Sequence, residues 1–166
     1  FVESCKKLAN VFPSWNFGII GSTKLGFKNI KTQFEEEITK DFLRIGKQAT
    51  IYGFMSYEEV QTKMSEASIV IIPSIWEEPY GLVVAEAMSN GCAVICSKIG
   101  GIPEIINDKG IVIEKIDHLK IIKAASKLMS NPKYLSQMQK LSWNNFQLTS
   151  KASSEKLDSF RAQIII

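Results

Sequence analysis

The sequence lacks any apolar run of the length that a membrane-spanning helix requires, which is about 18 residues or more. Its first residues also lack the sequence of a basic segment, an apolar segment and a small-residue cleavage site that marks a secretory signal. We therefore do not expect a secreted or membrane-spanning protein. With 166 residues, of which 45% are hydrophobic and 22% charged, the chain has the composition of a globular domain with one buried core.

Arginine is scarce, because only Arg44 and Arg161 carry a guanidinium group and the other basic residues are lysines. The net charge of +3 is spread along the chain, without a basic stripe interleaved with aromatic residues. This distribution argues against nucleic acid as a partner. Since bidentate guanidinium contacts are few, a bound anion would be held mostly by backbone N–H groups or lysine.

Cysteine and histidine are too few for an obvious metal site. The three cysteines, Cys5, Cys92 and Cys96, are an odd number, and Cys96 ends an apolar run. This pattern favours buried thiols in a reducing compartment over a disulfide or a metal centre. The single histidine, His118, begins a predicted helix, and we assign it a surface or capping role without catalysis.

Five short apolar segments alternate with helix-like segments, which predicts an α/β fold with a doubly wound parallel sheet of the Rossmann type. The apolar segments do not alternate with polar residues, which is typical of strands covered by helices on both faces. The predicted strands are 17–21, 49–53, 68–74, 92–97 and 110–114. The predicted helices are 1–12, 28–45, 56–66, 79–90, 102–107 and 117–130, with further helix from Pro132 onward.

The predicted organisation is a Rossmann-like domain over 1–131, followed by C-terminal helices over 132–166. The first predicted element is a helix, although a βα fold usually begins with a strand. We therefore expect the first strand of the sheet to lie upstream of Phe1. Trp143 and Phe146 have the spacing of residues that dock a helix onto another surface.

The loop and helix after the third predicted strand contain the most informative residues. Glu77 and Glu78 lie in the loop, and Glu86 lies in the middle of a largely apolar helix. No basic residue lies within one turn of Glu86, so its carboxylate requires hydrogen-bond donors from another element or from ligand hydroxyls. Both alternatives are open, since a neighbouring backbone N–H would satisfy the carboxylate as well as a vicinal diol would.

The start of that helix is a predicted anion site. We place Pro79, Tyr80, Gly81 and Leu82 in its first turn, where unpaired N–H groups and the helix dipole favour a phosphate. Glu86 follows Glu78 by eight positions, which at about 1.5 Å of helical rise per residue places them roughly 12 Å apart. The order of carboxylate, amides and carboxylate then matches the order of sugar, diphosphate and ribose in a nucleotide sugar.

The segment PSIWEEPYGLVVAEAMSNGCAVICSKIGGIPEII closely resembles the family 4 retaining glycosyltransferases of the two-Rossmann-domain (GT-B) class. In that family two glutamates separated by seven residues flank an F/Y-G-L core, and Glu78 and Glu86 have this spacing. The resemblance covers most of the chain. It includes IIG at 19–21, YGFMSYEEV at 52–60 and GGIPE at 100–104.

The resemblance implies a donor-binding domain in which Glu78 is the catalytic residue and contacts the donor sugar. It implies that Glu86 binds both ribose hydroxyls. The other implied residues are Tyr80, Gly81, Leu82 and Val83 for sugar and diphosphate, and Gly53, Phe54 and Met55 for the nucleobase. The implied donor is a UDP-, GDP- or ADP-sugar, and the implied reaction needs no metal or other cofactor.

The resemblance also implies partners and a location. A glycan or lipid acceptor would bind a separate N-terminal domain, in the biosynthesis of a cell-envelope polysaccharide or glycolipid. The expected location is the cytoplasm, or the inner face of the membrane when the acceptor is a lipid. The family carries a G-R and a K-G pair on and just after the first strand of this domain, where they neutralise the diphosphate. No such motif precedes the first predicted helix here, so we expect it upstream of Phe1, and this chain alone should transfer little or no sugar.

Several residues allow two interpretations at this stage. Trp76 either lines the sugar pocket or packs in the core, and Gly100 and Gly101 either form a simple turn or leave room for a ligand. Lys24 and Lys28 are candidates for phosphate contacts. Glu77 is interpreted as a solvated neighbour of the working glutamate. The alternative function for the whole chain is a non-catalytic α/β domain that binds a nucleotide or mediates contacts.

Overall fold

The computed structural model describes residues 1–22, 32–144 and 150–164. Its elements follow the predicted order of strands and helices. They are α1 Val2–Val11, β1 Phe17–Ile20, α2 Gln33–Leu43, β2 Ala49–Gly53, α3 Tyr57–Glu66, β3 Ile69–Ile72, α4 Leu82–Ser89, β4 Ala93–Ser97, α5 Ile102–Ile106, β5 Ile111–Ile113, α6 His118–Met129, α7 Pro132–Asn144 and α8 Ser150–Ile164.

All the strand pairs in the described residues are parallel, which confirms the predicted Rossmann-like α/β fold. The strands form a two-stranded sheet, β1-β2, and a three-stranded sheet, β3-β4-β5. Within the described ranges, β1 and β3 are therefore each hydrogen-bonded to another strand on one side only. The expectation of a further strand upstream of Phe1 stays a prediction.

Strand β4 is the centre of the core, because all five residues of AVICS are buried. Val94 and Cys96 face one hydrophobic cluster, to which α3, α4 and α5 contribute. Ala93 and Ile95 face a second cluster, to which α1, α6 and α7 contribute. Helices thus cover both faces of this strand, which explains why its sequence contains no polar alternation.

The prediction of two buried thiols is confirmed for Cys92 and Cys96, and Cys5 is also free and buried. Burial raises the pKa of Cys5 and Cys96 to about 12, and that of Cys92 to about 11. Thiols with such pKa values remain protonated at neutral pH and are poor nucleophiles. His118 is the first residue of α6, where its backbone carbonyl accepts a hydrogen bond of 3.2 Å from Ser4 Oγ.

The sequence correctly places the start of α3 but not that of α4. Ser56 and Glu59 form the predicted capping box at α3. Pro79 and Tyr80, predicted in the first turn of α4, lie instead in the loop before it. The helix begins only at Leu82 because Gly81 is its N-cap and adopts a left-handed conformation with φ of 77°, which interrupts helical geometry at that position.

Replacing Ser56 with alanine is expected to lower the free energy of unfolding by about 1 kcal/mol, because the hydrogen bond that Ser56 Oγ accepts from the N–H of Glu59 is lost. The reciprocal bond, from the backbone N–H of residue 56 to the Glu59 carboxylate, does not need the hydroxyl. Chemical denaturation measures this difference. Thr62→Ala is the matched control, since Thr62 Oγ1 donates to the carbonyl of Glu58 inside the same exposed helix and caps nothing. Equal destabilisation by both substitutions would contradict a specific role of the cap.

The C-terminal helices begin with α7, which packs against β4 and α4. Met138 is buried in the same cluster as α1 and α6. Trp143 is 62% exposed, and Phe146 lies outside the described residues. The division into 1–131 and 132–166 remains a prediction. No helix in the part of the chain that the structure covers is both long enough and apolar enough to cross a membrane.

Candidate functional site

The loops that follow the parallel strands meet at the carboxyl edge of the sheets, where open α/β folds bind ligands. The loop after β1 is joined to the end of β2, since Gly21 N–H donates a hydrogen bond of 2.8 Å to the carbonyl of Gly53, the last residue of that strand. The loops after β3 and β4 are also joined, since Gly101 N–H donates one of 2.9 Å to the carbonyl of Glu78. The predicted site residues lie on these loops and on the adjoining α4.

The loop from β3 to α4 exposes apolar side chains at this edge. Trp76 is 65% exposed, so the interpretation that it packs in the core is wrong. Leu82 and Val83, in the first turn of α4, are 64% and 48% exposed. The largely apolar helix that the sequence predicts is therefore buried only on its other face, which carries Val84, Ala85, Ala87 and Met88.

The first turn of α4 provides backbone donors. The N–H groups of Val84 and Ala85 both donate to the carbonyl of Gly81, at 2.9 and 3.4 Å. The N–H groups of Leu82 and Val83 precede these first helical bonds and are the ones that a helix leaves unpaired at its start. Together with the positive end of the helix dipole, they make this turn suitable for an anion.

Glu86 lies one turn further along α4 and is half-buried. Burial raises the pKa of its carboxyl group above the usual value. Across the described ranges, no hydrogen bond or ion pair with another residue reaches this carboxylate. Its backbone carbonyl, by contrast, accepts bonds from the side chains of Ser89 and Asn90. The alternative in which a neighbouring backbone N–H satisfies Glu86 therefore finds no support in the described residues, and a desolvated acceptor remains open to a ligand.

The two adjacent glutamates of the loop differ in burial. Glu77 is exposed, whereas Glu78 is half-buried, and its backbone is held by the hydrogen bond from Gly101. This difference agrees with the preference for Glu78 as the working residue. Because Pro79 to Gly81 are not helical, the estimate of the Glu78 to Glu86 distance from helical rise does not apply to this segment.

The predicted nucleobase turn follows β2. Gly53 has φ of 71°, a conformation that favours glycine. Phe54 is 44% exposed and Met55 is half-buried. The turn leads directly into α3, which packs against α4. The helix that follows the predicted base-binding turn thus contacts the helix that carries the predicted ribose and phosphate residues.

Sequence reasoning missed a polar link between α3 and α4. Gln61 Oε1 accepts a hydrogen bond of 2.7 Å from Asn90 Nδ2, one turn beyond Glu86. Gln61 Nε2 is buried and has no hydrogen-bond partner among the described residues. No sequence pattern could have identified this pair, because 29 positions separate the two residues.

Two groups of predictions are limited by the described ranges. Lys24 and Lys28, proposed as phosphate contacts, lie outside the residues that the structure describes. Within the described residues, no group of three His, Cys, Asp or Glu side chains is arranged to hold a metal ion. The expectation of a reaction without metal stays a prediction.

Comparison with known proteins identifies the family. Residues 1–142 match the family described as Glycosyl transferases group 1. Lipopolysaccharide 1,2-N-acetylglucosaminetransferase of Salmonella typhimurium is 28% identical over 107 residues, which are 64% of this chain and 28% of that protein. Trehalose synthase of Rubrobacter xylanophilus is 40% identical over 81 residues, which are 48% of this chain and 19% of that protein. The matched region is thus less than a third of the length of either relative.

Solved structures agree with this match. The C-terminal domain of a glycosyl transferase group 1 family protein from Francisella tularensis has a TM-score of 0.73 at 26% identity, covering 87% of this chain and 74% of that one. The Anabaena protein HepE, solved in complex with UDP, has a TM-score of 0.76 at 16% identity, covering 97% of this chain and 44% of that one, and shows the fold alone. The chain belongs to the group 1 glycosyl transferases, with the fold of a GT-B C-terminal domain.

Proposed function

We propose that this chain is the nucleotide-sugar-binding domain of a retaining, family 4 glycosyltransferase that transfers a hexose to a glycan or lipid acceptor. The observation that carries the proposal is Glu86, a half-buried carboxylate that no hydrogen bond or ion pair from another described residue reaches. It lies on the helix whose first N–H groups precede the first helical hydrogen bonds. A buried carboxylate that lacks donors costs stability, and ligand hydroxyls would remove that cost.

The proposed donor lies along the loop and first turns of α4. Glu78 contacts the sugar, the backbone at Tyr80 to Val83 holds the sugar and diphosphate, and Glu86 accepts hydrogen bonds from the ribose hydroxyls. The nucleobase lies against the turn at Gly53 to Met55. The exposed first turn and the half-buried position of Glu86 support this assignment, since both are accessible at one edge of the sheet.

In the proposed reaction, the bond between the sugar and the diphosphate breaks, and the oxygen of an acceptor hydroxyl bonds to the sugar on the same face. The O–H bond of the acceptor also breaks, and the departing diphosphate oxygen takes the proton. Negative charge develops on the diphosphate as its bond to the sugar breaks. The dipole and the first N–H groups of α4, which hold the diphosphate, would stabilise that charge. Glu78 would position the sugar and stabilise positive charge that develops at its reacting carbon. The chain alone is expected to bind the donor and to transfer little.

Relatives support an envelope glycan or glycolipid as the product class. The Salmonella relative is named for lipopolysaccharide, and another, from Escherichia coli, is named O-antigen chain mannosyltransferase B. A structural neighbour from Anabaena was solved with UDP-glucose. By this analogy we propose a UDP-, GDP- or ADP-sugar as donor and no metal in the reaction.

Titration calorimetry with nucleoside diphosphates and their sugars tests the proposal. The wild-type chain is expected to bind at least one nucleotide sugar more tightly than the corresponding diphosphate. The reason is that the sugar contacts Glu78, and the diphosphate alone makes no such contact. Glu78→Gln is expected to weaken nucleotide-sugar binding by roughly tenfold, as for the loss of a hydrogen bond to a charged group, and to leave diphosphate binding unchanged.

Glu77→Gln is the matched control, since it removes the same charge from the exposed neighbouring position. It should leave both affinities unchanged. If the wild-type chain bound a diphosphate and its sugar conjugate with equal affinity, the alternative of a non-catalytic nucleotide-binding domain would be favoured. If it bound neither class of ligand, the proposal would be wrong.

A further inference from the structure

The loop between β4 and α5 lies directly against the loop that carries Glu78. Gly101 N–H donates a hydrogen bond of 2.9 Å to the carbonyl of Glu78. A Cβ atom added at Gly100 would lie 2.8 Å from Glu78 N and even closer to the Glu78 carbonyl oxygen. A Cβ atom added at Gly101 would lie 2.6 Å from the carbonyl oxygen of Pro79. These distances leave no room for a side chain at either glycine.

The two glycines differ in why a side chain is excluded at each position. Gly100 has φ of 53°, so a turn alone would favour glycine there. Gly101 has φ of −78°, a conformation that any residue adopts, so only the close approach of Pro79 explains the absence of a side chain. The simple-turn interpretation of the sequence is therefore insufficient for Gly101.

We propose that Gly100 and Gly101 are positioning residues of the donor site, which hold the backbone of Glu78 so that its carboxylate meets the donor sugar. This inference rests on the proposed role of Glu78. The segment from Ile75 to Gly81 contains no helix or strand, so its backbone needs contacts from elsewhere to keep one conformation. The glycine pair supplies a hydrogen bond and two close backbone contacts at the position where the glutamate lies.

Gly101→Ala tests this inference by calorimetry, with Gly110→Ala as the matched control. A Cβ at Gly110 would also crowd a backbone carbonyl, at 2.9 Å from the oxygen of Val94, but Gly110 precedes β5 and lies at the opposite edge of the sheet. The probes are UDP, GDP and ADP and, for each, one sugar conjugate: UDP-glucose, GDP-mannose and ADP-glucose. The pair with the tightest wild-type binding is then used for both variants.

Gly101→Ala is expected to weaken binding of the nucleotide sugar by about tenfold, the same loss as for Glu78→Gln, and to weaken binding of the diphosphate by a smaller factor. Gly110→Ala should lower the melting temperature without changing either affinity. A merely structural role would weaken the binding of both ligands by the same factor, or of neither. If the Gly101→Ala protein preferred the nucleotide sugar over the diphosphate by the same factor as wild type, the inference would be wrong. The proposed function would still stand.

A second measurement covers the case in which Gly101→Ala does not fold. In wild-type protein, the NMR signal of the Gly101 amide should shift on addition of the nucleotide sugar and stay in place with the diphosphate. An unchanged signal with both ligands, in a protein that binds the sugar conjugate more tightly, would overturn the inference. A wild-type protein without any gain from the sugar would instead refute the proposed function itself.

Discussion

Replacing Glu86 with alanine is expected to weaken binding of a nucleoside diphosphate about 10- to 100-fold, as for the loss of one or two hydrogen bonds to a charged group. The carboxylate has no partner among the described residues, so the ligand's ribose hydroxyls would be its donors. Calorimetry with the ribose and 2′-deoxyribose forms of the same diphosphate checks this directly. The 2′-deoxy diphosphate should bind the wild-type chain more weakly than the ribose form does. The substitution should also reduce the affinity for the 2′-deoxy form by a smaller factor.

The same residue predicts an opposite effect on stability. Because burial raises the pKa of Glu86 in the folded protein, the folded state holds this proton more tightly than the unfolded state. The contribution of Glu86 to the free energy of unfolding is therefore fully present below the ordinary carboxyl pKa. It falls as the pH rises through the raised pKa of the folded protein. Glu86→Gln should raise the melting temperature at neutral pH, and the gain should shrink in acid.

Thermal melts at pH 4 and pH 7.5 test this pH dependence. Glu36→Gln is a suitable control, because Glu36 is exposed on α2 and belongs to no cap or ion pair that the structure shows. A Glu86→Gln protein that is less stable than wild type at neutral pH would mean that the carboxylate already has a donor in the protein. The ribose assignment would then lose its main support.

Replacing Gly81 with alanine is expected to lower the free energy of unfolding by about 2–4 kcal/mol, from left-handed backbone strain and from overpacking. Gly81 has φ of 77°, and a Cβ there would lie 2.9 Å from Ile102 Cγ1. Ile102 is fully buried in α5 and has little freedom to move away. Chemical denaturation measures the summed loss from the two causes. The affinity for nucleotide should fall as well, since the first turn of α4 starts at this residue.

Two further variants separate the two causes. Gly46→Ala places a side chain at φ of 87° with nothing within 4 Å, so it reports backbone strain alone, about 1–2 kcal/mol. Combining Gly81→Ala with Ile102→Ala should cost less than the sum of the single substitutions, because the smaller residue makes room for the new methyl group. Strict additivity would show that Ile102 does not limit the space at Gly81.

The fold was predictable because its signals are local. β4 reads as an unbroken apolar strand since both of its faces are covered, and the capping box at Ser56 marks the start of α3 within four residues. The start of α4 was misplaced because Pro79 is a common helix-start residue. The left-handed conformation of Gly81, which moves the start to Leu82, is not marked by any residue type in this segment, because glycine also adopts right-handed conformations.

The candidate site was predictable only in part. The order of Glu78, the amides of α4 and Glu86 follows from one segment of sequence and from the family resemblance. The exposure of Trp76 and the contact of Gly101 with that segment required the structure, because both depend on how two loops pack at the sheet edge. Residue types alone do not distinguish a glycine needed for a turn from one needed for close approach.

A crystal structure of the chain with a bound nucleoside diphosphate would decide whether the start of α4 and Glu86 hold the donor. We expect the diphosphate oxygens within hydrogen-bond distance of the N–H groups of Leu82 and Val83, and the ribose hydroxyls within hydrogen-bond distance of the carboxylate of Glu86. A nucleotide bound elsewhere, or a ribose that leaves Glu86 without contact, would contradict this expectation.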